Sequence, residues 1–490
     1  MFESKKKKQQ FFGGQDVMKI RMALLVVLSI VTLIFLGGCT RKNFSVLSQM
    51  SDEQANFFEK EIVAPFSRAQ RISVTVVNVE DGTQVRNLLV QRGEGAAGLV
   101  KVPFEENELF VNGGYLQSFD TFADPLRLEQ IKETLLLCTL GVVQKKQYYV
   151  PREFKTRIMV YRKSKVHQAI RVWRGFRSQI NNDLRLVNGY GLPSNYLLED
   201  DPELWDFYDI YVLGWIWSRQ EHNGTIGPRI AHPFSPVRGG GLRQIDHAYQ
   251  FNADSASITA ITGDQIIDMF QWEALYAHGG IYNPSMWEKK WTRQDLWQAF
   301  ADEKVFLSLL TQKDVFHIYG TGADNMDGYL AQKGDLAFAT VPMASSLELD
   351  RFGIPVRTGS KSIVTGGWWW AVPQNAPYRD LSLKLVEHLS GSVSQIEESS
   401  RFGVIPAGKE ILSHLPIIAG DHWISQLYTT SFMQMKENGY NFLSAAHGSQ
   451  ELSQRYTRIW ERLVSHSGWM ESGVPERRLV EREIQKASSQ

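Results

Sequence analysis

Ile72-Ser-Val-Thr-Val-Val-Asn-Val79 is a run rich in β-branched residues, and its reading decides the fold class. It predicts a strand, since branched side chains suit a pleated, half-buried surface. A helical pattern follows over residues 85–91, and Gly98-Leu-Val-Lys-Val102 predicts a second short strand. Strand, helix and strand at this spacing argue for a βαβ unit and a mostly parallel sheet. Upstream, Ser51-Asp52-Glu53-Gln54 has the form of a capping box and opens a helix expected to stop near Pro65. Residues 40–50 read as a short polar tether. Downstream, Tyr148-Tyr-Val-Pro151 and Thr156-Arg-Ile-Met-Val-Tyr-Arg162 look extended, and helical patterns dominate residues 165–301. One such helix begins near Thr262 or Asp264 and ends at Gly279-Gly280, a C-cap signal. Strands are expected again at 336–341 and 363–372, and a closing helix at 451–464. No internal repeat interrupts this order.

The N-terminus carries a different signal. Met22-Ala-Leu-Leu-Val-Val-Leu-Ser-Ile-Val-Thr-Leu-Ile-Phe-Leu36 is an apolar run preceded by Lys19, Arg21 and the lysines 5–8. It is shorter than the roughly 20 residues that cross a bilayer as a helix, so it reads as a cleaved export signal. Leu36-Gly37-Gly38-Cys39 follows at once and resembles a lipobox. Cys39 is then the lipidated first residue of the mature chain, residues 1–38 the signal peptide, and 39–50 the tether.

Charge and cysteine content exclude several classes. The chain holds 53 basic and 53 acidic residues. Removing the six basic and two acidic residues before Cys39 leaves 47 against 51, a balance that offers no electrostatic footprint for nucleic acid. Only two cysteines occur, so lipidation of Cys39 leaves Cys138 without a partner, and it reads as a buried small hydrophobe. About 450 mature residues exceed what one core usually organises, so two lobes are expected. Of the 14 tryptophans, ten lie between Trp205 and Trp370, a regional enrichment.

Catalytic signatures fail. Gly403-Val-Ile-Pro-Ala-Gly408-Lys409 begins like a phosphate-binding loop, but Glu410 replaces the hydroxyl that would ligate magnesium and Pro406 removes a cradle N–H. No Gly-x-Ser-x-Gly, His-Glu-x-x-His or Cys-x-x-Cys occurs. Among acids that could serve a glycosidase, Asp268 and Glu273 lie five residues apart on one predicted helix and face different ways, whereas Asp264 and Asp268 share a face.

Several passages, scattered but in consistent order, carry a family likeness. Gln147-Tyr-Tyr-Val-Pro151 followed by Ile158-Met-Val-Tyr-Arg-Lys163 resembles a chain crossing between lobes. Lys333-Gly334-Asp335-Leu-Ala-Phe-Ala339, Thr365-Gly366-Gly367-Trp368 and Phe402-Gly403-Val404-Ile405-Pro406 resemble later landmarks of the same pattern. Over residues 70–465 the chain is similar to family 1 extracellular solute-binding proteins, the maltose-binding-protein-like receptors of ABC sugar importers. It departs from them in lacking an aspartate after Gly98-Leu-Val-Lys-Val102 and in the tryptophans of 205–297.

The resemblance implies an α/β, two-lobed periplasmic-binding-protein-like fold of type II, each lobe a mixed sheet flanked by helices, with the ligand cleft between. Residues 51–150 with about 351–400 are expected in the first lobe, and 151–350 with about 401–490 in the second. A sugar cleft wants aromatic platforms beside charged and amide groups. The candidates are Trp368 and Trp370, which alternation places on one strand face, then Trp272, Glu273, Trp287, Arg152, Asp324, Asn325 and Ser345. For each tryptophan core packing is the competing reading, and for Glu273 a salt bridge; Trp215 and Trp217 read as core. The functional expectation is a lipid-anchored monomer facing the periplasm or exterior. It would deliver a carbohydrate to ABC permease subunits without catalysis, cofactor or metal. An exported glycan hydrolase and a sensory receptor of the same fold are the alternatives.

Overall fold

The computed structural model describes residues 43–79, 82–90, 96–234, 240–320, 334–411, 414, 422–437, 441–442, 450–465 and 477–488. The export signal, Cys39, Asp324 and Asn325 lie outside the described residues.

The first sheet begins earlier than expected. Asn43–Ser48 is a strand, β1, with Phe44, Val46 and Leu47 buried, so the predicted tether over 39–50 is corrected for its second half. Its alternating apolar residues are few and flanked by Asn43, Ser45 and Ser48, which hides a strand buried on both sides. After it α1 (Asp52–Phe57) starts at Ser51, whose hydroxyl accepts the Gln54 N–H at 3.2 Å. The other half of the capping box is absent, because the Gln54 side chain donates to Glu398 at 3.2 Å instead. The helix also passes Pro65. A π-helical segment, Phe58–Val63, precedes α2 (Ala64–Gln70) and places Pro65 in the first turn of the latter, where its missing N–H costs nothing.

Then β2 (Ser73–Asn78), α3 (Gly82–Leu89) and β3 (Ala97–Pro103) form the predicted βαβ unit. The two strands are not neighbours: β1 lies between them, parallel to both. The sheet continues with β4 (Tyr149–Lys155), which leads through Thr156 into β5 (Arg157–Arg162) of a second sheet. There β5 runs between β6 (Leu307–Thr311) and β7 (Leu336–Ala339), antiparallel to both. The chain returns to the first sheet as β8 (Val364–Pro373), antiparallel to β3 and β4, and β9 (Ile405–Pro406) closes the edge on β4. The first sheet is therefore mixed, in the order β9-β4-β8-β3-β1-β2.

Two expected segment boundaries move with this topology. Residues 351–363 stay with the second sheet, as the pairings Ser345 with Thr358 and Leu349 with Pro355 place them. Residues 405–406 belong to the first. Gly403, at φ 63°, caps the preceding helix in the left-handed region, and a Cβ there would meet the Gln312 carbonyl at 2.7 Å, so the stretch resembling a phosphate loop is a helix stop followed by a strand.

Helices cover the second sheet: α4 (Lys163–Asn188), α5 (Phe207–Arg219), α6 (Gly241–Gln250), α7 (Asp264–His278), α8 (Arg293–Ala301) and α9 (Gln312–Tyr319). Trp215 and Trp217 are buried on α5, as expected. Cys138 is a buried free thiol, in a 3-10 turn rather than a helix, and burial pushes its pKa up to about 12. No helix among the described residues is long and apolar enough to cross a membrane.

Candidate functional site

Lys155, Thr156 and Arg157 are the link between the sheets, and the cleft opens on them. A cavity of about 130 Å³ is lined on one side by Pro103 at the end of β3, by Glu105 just after it and by Val364, Gly366, Gly367 and Trp368 of β8. Opposite stand Leu242 and Asp246 of α6 and Thr311 at the end of β6. A second cavity of about 670 Å³ shares Lys155, Arg157 and Leu242 and extends past His232, Arg243, Trp291, Arg293 and Trp297. Together they form one inter-sheet cleft of a size suited to an organic solute.

The first wall is shaped by the Gly366-Gly367 pair. A Cβ on Gly367 would meet the Glu153 carbonyl at 2.8 Å, so only glycine lets β8 lie this close to β4. The register between the two strands shifts between Trp368 and Trp369, a bulge that sets the three tryptophans at different depths. Trp368 stays half-buried at the cleft, with the Lys101 ammonium 5.3 Å from its ring centroid. Trp369 packs on Phe104, and Trp370 stacks on Phe58 at 5.9 Å. The larger cavity offers Trp291 and Trp297, both half-buried. The indole of Trp297 donates to Asp314 at 3.2 Å and stacks on His317 at 4.1 Å, which fixes its plane.

The charges around the cleft are unevenly satisfied. Arg157 pairs with Asp246, Arg243 with Glu273 at 2.6 Å, and Arg293 with Asp314 at 3.8 Å. Glu273 also accepts from Tyr282 at 3.0 Å and meets His247 Nδ1 at 2.9 Å. Burial alone would raise its carboxyl, but Arg243, His247 and Tyr282 outweigh that and hold it below the usual range. On the other side Glu153, buried between Lys101 at 3.1 Å and Lys313 at 3.8 Å, is held down at about 2 against its own desolvation. Lys155 differs from all of these. It forms no hydrogen bond or ion pair through its ammonium among the described residues. Desolvation, reinforced by Arg293 and Arg157, brings its pKa down to about 7. The side chain keeps some exposure toward the cleft, yet sits deep enough for desolvation to dominate.

Of the residues singled out from sequence that the structure describes, only Trp368 lines the cleft. Trp370 is fully buried, because the bulge and the covering Phe58 put it a rung deeper in the sheet. Trp272 lies in the second-sheet core, donating to the Ser345 carbonyl at 2.6 Å and packed on Phe207 and Tyr208. Ser345 is buried there too, its hydroxyl bonded to Asp206 at 3.1 Å. Trp287 packs edge-on against Trp460 at 5.4 Å, away from the lining. Arg152 points into the first-sheet interior, paired with Glu398. Glu273 stands behind the lining, where it fixes Arg243. Asp268 faces elsewhere, held by Arg357 at 2.5 Å and Arg477 at 3.1 Å, as the helical spacing predicts. Sequence reasoning missed Lys155, Arg157, Arg243, Asp246, Trp291 and Trp297. The first two were findable, since Lys155-Thr156-Arg157 is the polar break between two extended runs; the others are joined to the cleft only by tertiary packing.

Among the described residues no group of three or more His, Cys, Asp or Glu is placed to hold a metal ion. Comparison with curated proteins yields no match. Solved structures match over most of the chain. Maltose-bound MalE3 of T. maritima is 12% identical, with 91% of this chain and 99% of that one covered at a TM-score of 0.59. The GacH receptor of Streptomyces glaucescens, solved unliganded and with acarbose, is 14% identical, with 91% and 99% covered at 0.60. The ABC substrate-binding protein Lmo0181 of Listeria monocytogenes, in complex with cycloalternan, is 10% identical, with 92% and 98% covered at 0.59. At such identities the likeness establishes the two-lobed fold. The family model for bacterial extracellular solute-binding proteins matches residues 61–420, and the chain belongs to that family.

Proposed function

We propose that this chain is the substrate-binding lipoprotein of an ABC transporter, capturing a sugar or sugar-like solute between its lobes and delivering it to permease subunits. The observation that carries the reading is the aromatic lining of two cavities that meet at Lys155, Arg157 and Leu242: Trp368 in the smaller, Trp291 and Trp297 in the larger. Sugars present an apolar C–H face to such rings and a hydroxyl rim to charged groups, here Glu105, Arg157, Asp246 and Thr311. The structural relatives bound to maltose, acarbose and cycloalternan support it. Cys39 anchors the mature chain by lipid to a membrane of the envelope, as a monomer facing the periplasm or exterior. Capture proceeds by rotation of the lobes about the Lys155–Arg157 link and the return into β8.

The hydrolase alternative loses support at Glu273. A general acid needs a raised pKa, and this carboxylate is held low by three partners and lies behind the lining. The test is titration of the full chain with mono- and oligosaccharides while following tryptophan emission and heat. Saturable binding without turnover is expected, with the response reduced in Trp368→Ala. Turnover of a glycan without stable binding, or no response across the panel, would overturn the assignment. Mass spectrometry of the mature N-terminus is expected to find acylated Cys39.

A further inference from the structure

The charges at the lobe crossing narrow the solute class, on the reading that the cleft is a saccharide site. We propose that the ligand is an anionic saccharide, bearing a carboxylate or phosphate that seats on the Lys155 ammonium with Arg243 beside it.

Two independent observations meet here. Lys155 lines both cavities and has no hydrogen bond or ion pair through its ammonium among the described residues, whereas Arg157, Arg243 and Arg293 each have a counter-ion in the fold. Arg243, itself only 7% exposed, lines the larger cavity and spends one nitrogen on Glu273. Its Nε and Nη1 are buried without a hydrogen-bond partner among the described residues, while its guanidinium packs over the Tyr282 and Trp460 rings. A desolvated cation or donor left unpaired is costly, and folding normally supplies its partner. Here the partner is left for the ligand. An anion would relieve the repulsion among Lys155, Arg157 and Arg293, which a hydroxyl does far less well. Glu105, the one lining carboxylate with no ion pair among the described residues, lies on the far wall and suits the hydroxyl rim. The sugar body then lies between Trp368 and the Trp291–Trp297 wall.

The test uses the full chain and matched ligands: uronate di- and trisaccharides, the same saccharides with the carboxylate reduced to a hydroxymethyl, hexose phosphates with their parent hexoses, and inorganic phosphate and acetate alone. The acidic member of at least one matched pair is expected to bind about 10- to 100-fold tighter than its neutral counterpart, the range of a charge-assisted hydrogen bond. Lys155→Met should collapse that preference, while Trp368→Ala should weaken both members alike. Uronates and phosphates distinguish the two sources of the anion. Neutral saccharides bound as tightly as acidic ones overturn the anionic assignment and leave saccharide capture standing. No saccharide bound, or phosphate alone bound as tightly as any sugar phosphate, overturns both. The acidic-to-neutral ratio is read on the unmodified protein, so the outcome holds even if Lys155→Met fails to fold.

Discussion

Glu273 and Lys155 are charged groups at the same cleft, and the fold treats them in opposite ways. The carboxylate is fully buried and surrounded by Arg243, His247 and Tyr282, with a partner on each side. The ammonium is only half-buried and has no hydrogen-bond or ion-pair partner among the described residues, while the cations around it are matched elsewhere. Charge that holds the structure is satisfied from within the chain. The charge assigned to the solute is left with its desolvation uncompensated, and lies at the link between the two sheets. Burial alone thus separates the two roles poorly; whether the partners are complete separates them well.

The contrast breaks most visibly at its structural end. Glu273→Gln removes the counter-ion of a buried arginine, and breaking such a pair costs about 3–5 kcal/mol. Urea unfolding should report a loss of that order. Because Arg243 lines the larger cavity, solute affinity should fall as well. A loss below about 1 kcal/mol would mean that the cluster is not a structural anchor.

Adjacent tryptophans offer the same contrast on one strand. Trp370→Ala empties a fully buried site against Phe58 and should cost about 3–5 kcal/mol of stability. Trp368→Ala, at the half-buried cleft position, should leave the unfolding midpoint nearly unchanged and weaken solute binding about 10- to 100-fold. Equal effects on stability from the two would contradict the division of β8 into a cleft rung and a core rung.

These tryptophans also mark how far the sequence could be read. The strand pattern places Trp368 and Trp370 on one face, but a bulge between Trp368 and Trp369 comes from pairing with β4, which no local pattern encodes. Residues 43–48 look polar because three of the six residues are Asn or Ser, yet the strand is flanked by β2 and β3. The helix at 264–278, by contrast, is legible to within two residues at its start and to the residue at its Gly279 stop, which is local chemistry. The site was harder. Arg243, Trp291 and Trp297 reach the cleft from a loop and two helical segments whose relative placement depends on tertiary packing. Aromatic enrichment pointed to the region and not to its members: Trp272 answers to Ser345 and Phe207 in the core, whereas Trp297 lines the cleft, held by Asp314 and His317.

Proton linkage sharpens the comparison further. Desolvation, reinforced by Arg293, Arg157 and Lys313 against Asp314, lowers the Lys155 pKa to about 7. An anionic solute favours the protonated form and so raises that pKa on binding. Affinity should be flat below pH 7 and fall by up to tenfold per unit above it, until the pKa of the complex is reached. Without ligand the sign reverses for stability: the native state binds fewer protons than the unfolded chain between about pH 7 and the usual lysine range, so this residue's contribution rises with pH there. Calorimetry of the best acidic saccharide from pH 6 to 9 checks the first point, and Lys155→Met should flatten the profile.

The smallest effect concerns the contact that spans the sheets. Lys313 begins α9 on the second-sheet side and reaches Glu153 of β4 at 3.8 Å and the Gln54 amide oxygen of α1 at 3.2 Å. Rotation about the Lys155–Arg157 link would have to break both contacts. Lys313 is about one-third exposed, and Glu153 keeps Lys101 as a second partner, so removing Lys313 strands no buried charge. A pair of this kind contributes about 0.2–1 kcal/mol. Lys313→Met should therefore weaken solute binding by no more than about fivefold, through faster dissociation, and should shift small-angle scattering of the unliganded chain toward a more open form. An unchanged dissociation rate with unchanged scattering would show that Lys313 holds β4 and α1 in place without opposing the opening of the lobes.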